Sequence, residues 1–142
     1  MPASSRSALG RPLVRMQSII TAAELTAAGT AQSLSLGTIP TDAVIEEVWH
    51  ETPTLLADAG SISAVTMQVG TSGAAAYLIA ATSVFTGGTQ TRQSGAGTGA
   101  RVLPAATEML AKFTATGANF GTGSATSLDA GTVIITILYR VV

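Results

Sequence analysis

Residues 35–70 read SLGTIPTDAVIEEVWHETPTLLADAGSISAVTMQVG. Two extended apolar runs, joined by turns of Pro, Gly, Asp and Ser, fill this stretch, which is the chemistry of short strands. In 63–69, Val65, Met67 and Val69 share one face, with Ala64, Thr66 and Gln68 on the other, so the segment reads as a half-buried strand. Residues 44–52 are rich in β-branched and aromatic side chains, but Glu46 and Glu47 are adjacent. An unbroken strand would send them to opposite faces. Either one carboxylate is buried with a partner or a bulge resets the register, and a bulge or an interface is preferred.

Working outward, residues 31–36 alternate, with Leu34 and Leu36 opposite Ser33 and Ser35. A first strand is expected at 19–25, a turn at 37–42 around Pro40, and one helical turn within 71–81 with Ser72 as N-cap. Residues 105–115 allow two readings. Glu108 and Lys112 would pair across a helical turn, whereas Met109, Ala111, Phe113 and Ala115 have strand spacing. Stretches 87–99 and 117–131 read as loops. The final strand is the clearest: Val133, Ile135, Ile137, Tyr139 and Val141 line one face, while Ile134 and Leu138 make the other apolar. It must be central in its sheet or pressed against another subunit. Seven or eight strands with regular turns predict an all-β, antiparallel β-sandwich.

With 142 residues, a single domain buries roughly 70% of its unfolded surface. Aromatics are only 4%, so Val, Ile, Leu, Ala and Met must build the core, and subunit contacts are expected to add stability. Charged residues are 11%, less than half the usual share of about 25%. The surface is therefore neutral and hydroxyl-rich, as in extracellular or assembly-forming β proteins. Absence of Cys excludes a disulfide framework and thiolate zinc sites. The most apolar run, 74–85, is broken by Thr and Ser and is far shorter than the about 20 residues of a membrane helix. MQSIITAAEL at 16–25 is too polar for a secretion signal, and no membrane association is expected.

Charge is segregated. Residues 1–15 carry Arg6, Arg11 and Arg15 and no acid; 16–70 carry six acids and no Lys or Arg; 71–142 carry four basic and two acidic residues. The reading is an extended basic N-terminal arm over 1–15 and a sandwich domain over 16–142. Three arginines without interleaved aromatics make a small phosphate footprint, so the arm's expected partner is a protein surface and not nucleic acid.

A search for catalytic chemistry returns nothing. His50 is the sole histidine; Glu51 faces away from it in a strand, and Glu46, four residues off, is about 13 Å distant. His50 reads as a surface or interface residue. GAGTGA at 95–100 lacks the Lys-Ser/Thr of a phosphate loop, and Asp58 and Asp129 read as turn caps. Expected here are no enzyme activity, no cofactor and no metal site. Trp49, with Glu46, Glu47 and His50, is the candidate subunit interface; Trp49, Tyr77 or the 87–99 loop could alternatively serve a head-fibre or tail-associated module that recognises host glycans.

The order of LSLG at 34–37, TIPTDAVIEEVWHET at 38–52, MQVGT at 67–71 followed by Tyr77, KFTATG at 112–117 and DAGTVIITILYRVV at 129–142 resembles small bacteriophage capsid cement or decoration proteins. The resemblance covers roughly 16–142. It implies a jelly-roll-like sandwich, homotrimers on the outer capsid surface of the virion, and an arm bearing Arg6, Arg11 and Arg15 that grips the major capsid protein. No family contact residue carries over individually.

Overall fold

The computed structural model describes residues 12–88, 90, 92–94 and 102–141. Among them lie β1 (Val14–Thr21), a 3-10 turn (Ala22–Glu24), β2 (Ala31–Ile39), β3 (Ala43–Ala57), β4 (Ala64–Gly70), β5 (Ile79–Ser83), β6 (Gln93–Ser94), β7 (Val102–Leu103), β8 (Thr107–Thr116) and β9 (Ala130–Val141). They form two sheets, β1-β9-β3-β6 with β7 also on β3, and β2-β8-β4-β5. Every strand pair is antiparallel.

The pairing is nested. β4 pairs β5, β3 pairs β6 and β7, β2 pairs β8, and β1 pairs β9. This is one long antiparallel hairpin rolled up so that its layers fall alternately into two sheets, the jelly-roll arrangement. The expected all-β sandwich is the observed fold.

Inner faces follow the alternation. Met109, Ala111, Phe113 and Ala115 of β8 are all buried, which settles 105–115 as strand; Met67 and Val69 lie opposite Phe113 and Ala111. From the other sheet Val133, Ile135 and Ile137 of β9 complete the core, with Phe120 and Leu25 fully buried beside them. β9 lies between β1 and β3, the central position its two apolar faces required.

Three local expectations are corrected. The first strand is Val14–Thr21, not 19–25, because β9 supplies a full ladder from Val14 to Thr21. The chain then leaves the sheet in the 3-10 turn, where the Thr21 amide donates to Glu24 Oε2 at 2.8 Å. Second, β2 continues through Gly37 to Ile39, accommodated by a bulge between Ser35 and Gly37. Gly37 has φ +117°, and a Cβ there would meet Met16 Sδ, so only glycine suits the site. Third, residues 71–81 form no helix. Thr71 and Ala74 close a tight turn, and β5 begins at Ile79 opposite Val69.

Asp58 acts as the local cap expected of it, whereas Asp129 caps a turn 70 positions away in the sequence. Asp58 accepts from the Gly60 and Ile62 amides at 2.7 and 2.9 Å, and Asp129 accepts from the Ala59 amide at 2.7 Å.

Candidate interaction surface

β3 carries the residues singled out for an interface, and a bulge decides where each one points. Ala43 and Ile45 are buried; the ladder to β9 then slips between Ile45 and Glu47. One extra residue exchanges the parity of everything downstream. Val48, His50 and Thr52 therefore become the inward series, at 2%, 1% and 0% exposure. Glu47, Trp49 and Glu51 fall on the outer face, and neither glutamate of the adjacent pair is buried. The bulge resolves the conflict posed by Glu46 and Glu47.

His50 is thus corrected. It lies opposite Ile135 on the inner face, a core residue of the protomer and not part of its surface.

On the outer face, register sets three rows across β1, β9 and β3. Arg15, Leu138 and Glu47 form one; Gln17, Thr136 and Trp49 the next; Ile19, Ile134 and Glu51 the third. Gln17 Nε2 donates to Thr136 Oγ1 at 3.3 Å. Ile19 is 60% exposed, while Ile134 and Leu138 are half-buried. Leu13 and Val14 add exposed apolar surface at the β1 end.

Two ion pairs trim this face. Arg140 Nε lies 3.3 Å from Glu46 Oε1, and Arg92 Nη2 lies 2.5 Å from Glu47 Oε1. Arg92 also covers the Trp49 ring, its guanidinium carbon 3.7 Å from the ring centroid. Trp49 is consequently only 8% exposed. An indole with a guanidinium on its face offers no open platform for a sugar ring. Arg92 was not recognisable as a functional residue in the sequence, since it is 45 positions from Glu47.

Of the expected arm, Arg6 and Arg11 lie outside the described residues. Arg15 belongs to β1, exposed and opposite Leu138. Tyr77 is half-buried in the turn before β5, and most of the 87–99 loop lies outside the described residues.

No protein-family model matches the sequence, and no curated protein matches it. In fold, the chain is similar to a protein of the cyanophage Pam1 capsid asymmetric unit, with a TM-score of 0.63 and 19% sequence identity, over 100% of both chains. A likeness at that identity concerns the fold alone, and it agrees with the antiparallel sandwich of the described residues.

Proposed function

We propose that this protein is a phage virion structural protein that binds the outer capsid surface and ties neighbouring coat subunits together. The supporting observation is the likeness in fold to a chain of a phage capsid asymmetric unit, over 100% of both chains.

The outer face of the first sheet suits the task. Its rows mix exposed Ile19 and half-buried Ile134 and Leu138 with Arg15, Gln17 and Glu51, the composition of a protein interface with an apolar centre and a polar rim. A standard interface buries on the order of 1,600 Å², and three linked copies would gain further from simultaneous engagement. Arg6, Arg11 and Arg15 supply charge complementary to an acidic coat surface. The work done is mechanical: area is buried across coat seams, and no bond is made or broken.

Co-sedimentation tests it directly. Purified protein mixed with shells of the phage's major capsid protein should pellet with them, and electron microscopy should show added density on the outside. Protein that stays in the supernatant at micromolar concentration rejects the reading. Sedimentation equilibrium of the free protein should give a homotrimer.

A further inference from the structure

On the outer face of the second sheet, a recess of about 140 Å³ is lined by Ser33, Thr71, Ser72, Ala75, Leu110 and Lys112. Register explains why these residues meet. Lys112 of β8 lies between Ser33 of β2 and Gln68 of β4, and Leu110 lies beside Gly70. After Gly70 the chain folds back over the sheet, the Tyr77 amide donating to Ala74 O at 3.0 Å. A Cβ on Gly70 would strike the Ala74 and Ala75 carbonyl oxygens and the Tyr77 amide. The wall of the recess is therefore set by close backbone packing, not by long side chains that happen to lean together.

Its chemistry is specific. Three hydroxyls and one ammonium can donate into it, and Leu110 with Ala75 makes an apolar wall. Lys112 is half-buried, and among the described residues no carboxylate pairs with it. Glu108, on the same face of β8, instead accepts from Ser35 Oγ at 2.9 Å. One fixed positive charge balances a monoanion, whereas a phosphate monoester carries about −1.5 to −2 at neutral pH. The apolar wall suits a methylene stem, and the volume suits one side chain.

The geometry points to a pocket that seats the carboxylate of a glutamate or aspartate side chain from another polypeptide. Lys112 pairs with the carboxylate, the hydroxyls of Ser33, Thr71 and Ser72 donate to its oxygens, and Leu110 packs on the stem. The pocket stands independently of the capsid reading, because any acidic protein partner could fill it.

The test is an amide NMR titration of the full chain with N-acetyl-glutamate methylamide, which carries one side-chain carboxylate. Expected are saturable shifts at Ser33, Thr71, Ser72 and Lys112, a dissociation constant raised at least tenfold by Lys112→Met, and a several-fold weakening by Ser33→Ala. Lys112→Met keeps the aliphatic stem, so its spectrum should otherwise match the parent. The proposal is overturned by shifts that do not saturate, by equal shifts with the glutamine analogue, or by affinity unchanged in Lys112→Met. Tighter binding of inorganic phosphate or glucuronate would also overturn it. A protein that seats the carboxylate but ignores capsid shells loses only the capsid reading.

Discussion

Arg92 and Trp49 are stacked, guanidinium carbon to ring centroid 3.7 Å, and Glu47, two positions before Trp49 on the same face of β3, holds the arginine there. The three side chains act as a unit: the carboxylate fixes the guanidinium, and the guanidinium seals the indole.

Removing the seal should be visible. A cation–π contact at an exposed site contributes about 0.5–1 kcal/mol, and an exposed ion pair about 0.2–1 kcal/mol. Arg92→Ala should cost about 1 kcal/mol in urea unfolding and shift Trp49 emission to longer wavelength. Glu47→Gln should cost less than half as much, and its effect should fade in high salt. Unchanged emission in Arg92→Ala would show that the stack does not form in solution.

Gly70→Ala should destabilise by about 1–3 kcal/mol, the range for forcing atoms into a packed site. The atoms in the way are backbone, so no side chain can swing aside. Amide exchange should quicken across 71–77 while β9 stays protected; uniform loss of protection would contradict a local effect.

Asp42 has φ 60° in the turn between β2 and β3. Asp42→Gly should leave stability nearly unchanged, whereas Asp42→Val should cost about 1–2 kcal/mol, because a β-branched residue resists the left-handed region. Thermal unfolding of the two variants checks the order.

Phe113 is fully buried opposite Met67. Phe113→Ala should cost about 3–5 kcal/mol, a large share of the about 5–15 kcal/mol that holds a typical domain. Chemical denaturation measures it directly.

If Arg6 and Arg11 grip the coat, deleting residues 1–11 should lower capsid affinity and its salt dependence while unfolding is unchanged, since β1 begins at Val14. Capsid binding at full strength by the shortened chain would remove the arm from the proposal.

Much of this fold was legible. Strand periodicity located β4 and β9, and the clash of adjacent Glu46 and Glu47 announced the bulge. By reversing parity that bulge carries His50 inside, although local sequence reads it as a surface group. Local pattern does not locate β1, because its order comes from β9, with Gln17 and Thr136 separated by 119 positions. The outer-face site was half visible. Trp49 stood out by residue type, but Arg92 and the Lys112 recess exist only through contacts between distant strands.

Among the described residues of the first sheet, β1 and β3 have no ladder with each other and are joined through β9. During synthesis the two must wait, with a strand-wide slot between them, until β9 emerges to fill it. Closure over so long a span is slow, and an open slot accepts the matching strand of any copy nearby. Concentrated refolding should therefore yield strand-exchanged dimers, whereas dilute refolding should return each β9 to its own slot.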